Sequence, residues 1–257
     1  MHYPTLCYNS SMETGLDILE SKKQAKIAIV ISLLVLVIYK IWKFSLREFG
    51  LHPLFDYYTY EFLSSVYRTL GAFFCGGLAY KLYKKPTRRV LYKNNYNLSF
   101  AKYLPFAFLI ISILIITKDI SILSLDFLFE VLINIPVGFF EELSFRALLF
   151  VGLCAYVKKG HAIIISSFIF SLWHFDVGPQ TFTNYFFLFM VGVTFSLFYL
   201  VGTSLLHLSL FHSIYDMIVI GLTSDLSIGE LFNLHLLWII SPVVLVSIMK
   251  FYKKRLY

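Results

Sequence analysis

Two adjacent glutamates and an arginine lie within a run of phenylalanine and leucine, in the segment PVGFFEELSFRALLF from Pro136 to Phe150. Glu142 and Arg146 are four residues apart, so on a helix they share one face, in the favourable order of acid before base. Glu141 lies about 100° away around the helix. Neighbouring carboxylates in a low-dielectric environment do not ionise equally. The spacing therefore predicts one carboxylate held by Arg146 and another available as a general base.

Histidines follow on two later apolar segments. His174 lies in the stretch FSLWHF, and Phe170, four residues earlier, shares its helical face. His212 and Asp216, in HLSLFHSIYD, are again four residues apart, so the carboxylate can hold one ring nitrogen of the histidine. His207 lies about 140° away from His212 and is expected to face elsewhere. The three segments together supply a glutamate base accompanied by histidines.

The composition indicates what positions these groups. Of the 257 residues, 58% are hydrophobic and only 14% are charged, and the mean hydropathy is +0.75. A soluble domain carries roughly 45–50% apolar and about 25% charged residues. The chain is therefore predicted to be an integral membrane protein. An ionisable side chain inside a bilayer costs at least about 2.5–3.5 kcal/mol, so each one is a candidate for function.

Eight apolar runs are candidate membrane spans, because a helix needs about 20 apolar residues, with a range of about 17–25, to cross the hydrocarbon core. They are Ile27–Trp42, Tyr60–Tyr80, Tyr103–Thr117, Phe127–Val157, Ala162–Phe175, Tyr185–Val201, Leu205–Leu222 and Phe232–Met249. The runs are continuous rather than alternating, which favours helices over strands. We expect an all-α, polytopic membrane bundle of about eight transmembrane helices.

The distribution of lysine and arginine predicts the orientation of these spans. With the N-terminus inside, sixteen of the 22 basic residues fall in inside segments, four fall outside, and Arg68 and Arg146 lie within spans. Cytoplasmic loops are enriched in such residues, so both termini of this multi-pass cell-membrane protein are expected in the cytoplasm. The basic loop Tyr80–Lys93 is then a topology signal that also contacts anionic lipids. No nucleic-acid partner is expected.

Four parts of the chain follow from these spans. They are a cytoplasmic N-terminal segment (1–26), N-terminal transmembrane helices with the basic loop (27–126), a core that bears the candidate catalytic residues (127–222), and the last transmembrane helix with a basic cytoplasmic tail (223–257). Every candidate site residue lies in the third part.

Other intramembrane chemistries lack their motifs. The chain has no HExxH, the helix motif of zinc metalloproteases. The stretch GTSLL at Gly202–Leu206 lacks the second glycine of GxSG, and no GxGD follows the dipeptide Tyr215–Asp216. A purely structural role as buried salt bridges is the alternative for the charged residues. That role is the preferred interpretation of Glu61 and Arg68, which lie seven residues apart on one helical face.

The order of three motifs resembles a known family. They are EExxxR (Glu141, Glu142, Arg146), FxxxH (Phe170, His174) and HxxxN/D (His212, Asp216), in that order on successive polar-bearing spans. Residues Phe127–Leu222 thereby resemble the CPBP family, the CAAX-protease and bacteriocin-processing intramembrane endopeptidases, also called Abi. The resemblance implies hydrolysis of a peptide bond inside or at the edge of the membrane, in a peptide or membrane-protein substrate.

The resemblance also implies roles for the motif residues. Glu141 would activate water, and His174 would assist it. His212 and Asp216 would line the side of the oxyanion, and Glu142 with Arg146 would support the site. CAAX enzymes resemble one another in having asparagine where this chain has Asp216. An ionised aspartate cannot donate a hydrogen bond, so Asp216 is expected to orient His212 or to carry a proton.

The need for a metal stays open at this stage. Members of the family are often labelled metalloproteases, and Glu141, His174 and His212 are residue types that zinc accepts. A glutamate base with histidine donors can also polarise a carbonyl without a metal, so no cofactor is required by the sequence.

Three functions are compatible with these residues. The first is an intramembrane endopeptidase that uses glutamate-activated water. The second is a non-catalytic bacteriocin self-immunity or scaffold protein on the same fold. The third is a transporter with a carboxylate proton relay. The complete motif set favours the first, and the lack of a detectable internal repeat argues against the third.

Overall fold

The computed structural model describes residues 15–48, 57–83, 103–115, 125–176, 181–222 and 228–255. Within these ranges the chain forms eight helices and no strand. They are α1 (Gly15–Glu48), α2 (Tyr57–Tyr83), α3 (Leu104–Ile115), α4 (from Leu125 to Leu153), α5 (Lys159–Trp173), α6 (Phe182–Val201), α7 (Leu205–Leu222) and α8 (Ile228–Arg255). Residues 1–14 of the predicted N-terminal segment, and the basic loop from residue 84 on, lie outside the described residues.

Each of the eight predicted spans coincides with one helix, so the prediction of an all-α chain is confirmed. Among the described residues, three segments are long and apolar enough to cross a membrane: Lys22–Ser45, Phe182–Val201 and Asn233–Lys250. Two shorter helices, α3 and α5, are also apolar. The protein therefore has the helix composition of a membrane protein.

The helix α4 changes its winding in the middle. It is α-helical over Leu125–Glu142, π-helical over Leu143–Phe150 and α-helical again over Val151–Leu153. Such π segments are rare and occur frequently at functional sites. Every side chain from Glu141 to Phe150 is buried, so this is the central helix of the bundle. The carbonyl of Ser144 accepts a hydrogen bond from Ser32 Oγ of α1, at 2.9 Å.

The helices run in alternating directions between two ends. We call one of them the Lys22 end, because Lys22 lies there, near the start of α1. The hydroxyl of Tyr156, which directly follows α4, donates to the Lys22 carbonyl at 2.7 Å. At the other, the Asp176 end, Lys40 near the end of α1 pairs with Asp176, just after α5. The start of α2 lies at that end too, because Tyr60 lines a cavity with both residues.

The remaining helices keep this alternation. α4 and α7 are antiparallel, since Ser213 Oγ donates to the carbonyl of Ile135 while His212 meets Glu142 further along α4. α6 and α8 run in the same direction: their contacts progress from Phe187 with His235 to Thr194 with Ser241. α3 runs parallel to α7, with Phe106 against His207 and Phe108 against Phe211.

The surface is apolar and the interior carries charge. For example, the residues Phe73, Leu114 and Val243 are 77%, 75% and 67% exposed. By contrast, Glu142 and Arg146 are 0% and 1% exposed. Ionisable side chains of membrane helices face the bundle interior in this way. The fold thus presents a lipid-compatible exterior around a polar site.

Candidate functional site

A close approach of two helices sets the position of the glutamates. A Cβ atom at Gly138 would collide with the carbonyl oxygen of Ser209 and with Ser213 on α7. Only a residue without a side chain permits this contact between α4 and α7. Four residues after Gly138, one helical turn further, Glu142 reaches His212.

Glu142 joins an arginine and a histidine. Its Oε2 lies 3.3 Å from Arg146 Nε, and its Oε1 lies 2.9 Å from His212 Nδ1. A carboxylate accepts, so the Nδ1–H of the ring donates to Glu142. This hydrogen bond fixes the orientation of the imidazole, and Arg146 in turn holds the carboxylate. Arg146, Glu142 and His212 therefore form one ordered chain of contacts.

Arg146 is enclosed by aromatic rings. Its Cζ lies 4.7 Å from the Phe170 ring centroid, 5.1 Å from that of Phe195 and 5.8 Å from that of Phe145. Its Nη2 donates to the carbonyl of Gly192 at 3.3 Å. Cation–π contacts in a desolvated site contribute about 2 kcal/mol or more. The guanidinium charge is thus distributed between one carboxylate and several ring faces.

Glu141, the residue before Glu142 on α4, contacts both His174 and His212. Its Oε2 lies 3.5 Å from His174 Nε2 and 3.8 Å from His212 Nε2. The same oxygen is buried and makes no hydrogen bond within the described residues. A buried carboxylate oxygen without a donor can accept a hydrogen bond from a water or a substrate.

His174 is held by its other nitrogen. The residue ends α5, with φ −89° and ψ 23°. Its Nδ1 lies 2.8 Å from the carbonyl oxygen of Phe170. A carbonyl can only accept, so Nδ1 carries a proton and Nε2 is the nitrogen that exchanges protons in the site. The Phe170 ring, 4.5 Å away between centroids, packs against the imidazole as the spacing predicts.

Asp216 contacts the nitrogen of His212 that faces the site. Its Oδ2 lies 3.4 Å from His212 Nε2. The other nitrogen already donates to Glu142, so the carboxylate that orients His212 is Glu142. Asp216, Glu141 and His212 Nε2 thus face one another, and a proton must lie between them for the contacts to be favourable. The protonation of Asp216 stays a prediction.

The family comparison agrees with these motifs. Residues 123–218 match the family model described as "Type II CAAX prenyl endopeptidase Rce1-like". This segment is Rce1-like. The resemblance to the CAAX proteases is confirmed, and the matched family is a protease family. The match covers 96 of 257 residues and contains all six predicted site residues. Neither the search of curated proteins nor that of solved structures gave a significant match.

The Rce1-like segment brings its motif residues together, as their order in the sequence predicts. Glu141, Glu142, His174, His212 and Asp216 are linked by contacts of 2.9 to 3.8 Å. His207 lies elsewhere, as its angular separation from His212 predicts, and so does His235. Ser204 contacts His207 Nδ1 at 2.6 Å, and the His235 ring packs on Phe187. The catalytic roles of the motif residues stay predictions.

One charged side chain outside the Rce1-like segment also acts on the site. Arg68 of α2 lies with its Cζ 5.4 Å from the Tyr39 ring centroid, and its charge acts on the carboxylates of Glu141 and Asp216. Glu61 and Arg68 make no ion pair with each other in the part of the chain that the structure describes, so the predicted structural pair is wrong. An arginine within a span is a detectable signal, but its partner depends on the packing of α2.

The contacts of Arg146 on α6 were not predictable from motifs. Phe195 and Gly192 carry no recognisable pattern in the sequence. Gly192 is needed because a Cβ there would lie 3.0 Å from Ser167 and 3.3 Å from the Phe170 ring of α5. The glycine brings α6 close to α5 and so presents its carbonyl to Arg146.

The candidate metal ligands were tested against the geometry. Among the described residues, no three side chains of the His, Cys, Asp or Glu types form a group that could hold a metal ion. His212 Nε2 faces Glu141 and Asp216, and its Nδ1 already donates to Glu142. The role of Glu141, His174 and His212 as metal ligands stays a prediction, and the mechanism below is written with the protein's own groups.

Proposed function

We propose that the protein is an intramembrane endopeptidase that hydrolyses a peptide bond in a membrane-associated or peptide-precursor substrate. The observation that carries this proposal is the buried Glu141 carboxylate, with one oxygen free of hydrogen bonds and two histidines beside it. The Rce1-like match supports it, because that family consists of proteases that act on CAAX-type substrates. A membrane-associated peptide is the substrate class that this match implies.

Glu141 acts as the general base in this mechanism. It takes a proton from a water molecule, and the water oxygen bonds to the carbonyl carbon of the substrate. The electron pair of the C=O bond moves onto its oxygen, which becomes an oxyanion. When the oxyanion collapses, the C–N bond breaks and Glu141 returns its proton to the leaving amine nitrogen. Water is consumed, and one carboxyl and one amino group are produced.

The two histidines stabilise the oxyanion. Each ring directs Nε2 into the site and is held through Nδ1, His174 by the Phe170 carbonyl and His212 by Glu142. A ring that is protonated on both nitrogens can donate from Nε2 to the oxyanion without reorienting. His174, next to Glu141, assists the water, while His212 and a protonated Asp216 line the oxyanion side.

The membrane arrangement that we propose is an eight-span bundle with residues 127–222 as its catalytic core and lipids around it. Its support is the coincidence of all eight apolar runs with helices, their alternating direction and their exposed apolar side chains. α5, at 15 residues, is shorter than a full hydrocarbon core requires. The bundle must therefore be thinner, or locally indented, where α5 ends.

Substitution of Glu141 tests the proposal. Glu141→Gln keeps the size and hydrogen-bonding capacity of the side chain but cannot accept the proton, so cleavage should fall by at least about 10²–10⁴-fold. The variant should still insert and fold, because an amide is cheaper to bury than a charge. Wild-type and Glu141→Gln chains are expressed in cells that lack the native gene, and new peptide termini in membranes and medium are mapped by mass spectrometry.

Two results are informative here. Termini that appear with the wild type and vanish with Glu141→Gln at equal membrane abundance support the protease. If an abundant, stable Glu141→Gln chain gives the same termini and the same cellular phenotype as the wild type, the protease proposal fails. The non-catalytic immunity or scaffold function then takes its place.

A further inference from the structure

A polar cavity lies at the Asp176 end of the bundle, where α1 and α5 end and α2 begins. Its volume is about 220 Å³. We call it the polar mouth; its lining residues are Lys40, Lys43, Phe44, Tyr60, Glu61, Phe175 and Asp176. Two lysines and two carboxylates balance one another formally, so the mouth does not select for a polyanion or a polycation.

The polar mouth is directly connected to the candidate active site along the chain. Phe175 and Asp176 follow His174, whose Nε2 lies 3.5 Å from Glu141 Oε2. Lys40 pairs with Asp176, and its ammonium lies 4.3 Å from the ring centroid of Trp173, the residue before His174.

The length of α5 concerns the same end of the bundle. Its 15 residues span about 22 Å, less than the hydrocarbon core of about 30 Å. If α5 starts at the membrane surface of the Lys22 end, its far end and His174 stop below the opposite surface. The lining residues Phe175 and Asp176 of the polar mouth directly follow His174 there.

The two ends differ strongly in basic residues. Among the described residues, Lys40, Lys43 and Arg47 lie on the last part of α1, towards the Asp176 end. The described residues Lys22, Lys23, Lys26, Lys81, Lys158, Lys159 and Lys250 lie on or beside helix ends that meet at the Lys22 end. The positive-inside rule assigns the end with more basic residues to the cytoplasm.

From these two observations we infer that the polar mouth opens on the extracytoplasmic side and that the substrate is an extracytoplasmic juxtamembrane segment of a membrane-anchored polypeptide. The inference rests on the proposed protease function for its substrate, while the direction of the mouth stands on the structure and the charge distribution. A polypeptide anchored from the cytoplasmic side would present its scissile bond at the wrong end of α5.

The direction of the polar mouth is tested by cysteine labelling. Cys7, Cys75 and Cys154 are first replaced, and single cysteines are then introduced as Glu61→Cys or Lys43→Cys in the mouth and Lys158→Cys at the Lys22 end. Intact cells are treated with a membrane-impermeant maleimide. The mouth cysteines should label at least about fivefold more than Lys158→Cys, which should label only after permeabilisation. Labelling of Lys158→Cys alone in intact cells would overturn the inference. Two mouth positions are used so that one misfolded variant does not decide the result.

The side of the substrate is tested with the termini that depend on Glu141. Their positions are compared with the topology of the proteins in which they occur. Termini that lie just outside the membrane, within the extracytoplasmic segment next to a span, support the inference. Termini in cytoplasmic segments overturn it and leave the protease function intact. If no terminus depends on Glu141, the protease function fails, and the labelling experiment still decides the direction of the polar mouth.

Discussion

Replacement of Glu142 by glutamine should destabilise the protein much more than replacement of Glu141. Arg146 is 1% exposed, and its Nε lies 3.3 Å from Glu142 Oε2. A guanidinium cannot lose its proton, so Glu142→Gln leaves a buried charge without its carboxylate. Breaking a buried ion pair from one side costs about 3–5 kcal/mol. The ring faces of Phe170 and Phe195 are present in both proteins and cannot replace the lost carboxylate.

This free energy corresponds to a large change in the unfolding equilibrium. At about 1.4 kcal/mol for each factor of ten, it amounts to roughly 10²- to 10³-fold or more. For a chain of this size, about 1 kcal/mol lowers the melting temperature by about 2–4 °C. Glu142→Gln should therefore melt about 6–20 °C below the wild type in detergent, and it should accumulate less in membranes.

A double-mutant cycle separates the ion pair from other effects of the substitution. Arg146→Met alone should cost less than Glu142→Gln, because the remaining Glu142 can take up a proton and keeps its contact with His212 Nδ1 at 2.9 Å. The double variant Glu142→Gln/Arg146→Met should regain most of the lost stability, since it buries no unpaired charge. If Glu142→Gln melts within about 2 °C of the wild type, or the double variant is no more stable than Glu142→Gln, the structural role of the pair is refuted.

Three further outcomes are expected. Chelators such as EDTA and 1,10-phenanthroline should change cleavage by less than about twofold, because a glutamate base with histidine donors can polarise the substrate carbonyl without a metal; a large loss that zinc restores would contradict this. Gly138→Ala should lower the free energy of unfolding by about 1–3 kcal/mol, since its Cβ would meet the Ser209 carbonyl. The control Gly77→Ala, with open space around its Cβ, should be neutral or raise the stability by up to about 1 kcal/mol. Equal melting temperatures for the two variants would count against the close approach of α4 and α7. Burial raises the pKa of Asp176, but the hydrogen bond and charge of Lys40 lower it by more, so that it lies below its usual value. The pair then stabilises the fold above about pH 4 and loses this effect progressively as the pH falls through the lowered pKa. Asp176→Asn should therefore lower the melting temperature more at pH 7 than at pH 3, and an equal loss at both would exclude the ion pair as the cause.

The helices and the residues of the site were predictable for physical reasons. A continuous apolar run longer than a strand can only bury its backbone polar groups as a helix, so the eight runs predicted eight helices. The pair Glu142–Arg146 followed from the four-residue spacing, which places side chains together within one helix. Contacts inside one helix depend on local geometry alone, and this is why they could be predicted.

Contacts between helices required the structure. The four-residue spacing predicted the contact of Asp216 with His212, which the structure has at 3.4 Å, but it gave no sign of the second contact of this histidine, with Glu142 of α4. Spacing on α2 suggested that Glu61 pairs with Arg68, whereas the packing of α1 places Glu61 in the polar mouth with Lys40. In both cases the partner lies on another helix, and a single sequence contains no information on which helix faces which.

The π-helical winding of Leu143–Phe150 makes the site depend on one surplus residue. If that segment wound as a regular α-helix, the parts of α4 on either side of it would rotate relative to each other by about 100° and shift by about 1.5 Å. Glu142, held to His212, and the buried residues after Phe150 could not then both keep their neighbours. Removal of one residue from Ala147–Leu149 should therefore give a chain that is more regular as a helix but inactive, measurable as retained helical circular dichroism with lost cleavage. Substitutions that strengthen an ordinary membrane helix would, in this one segment, act against the enzyme.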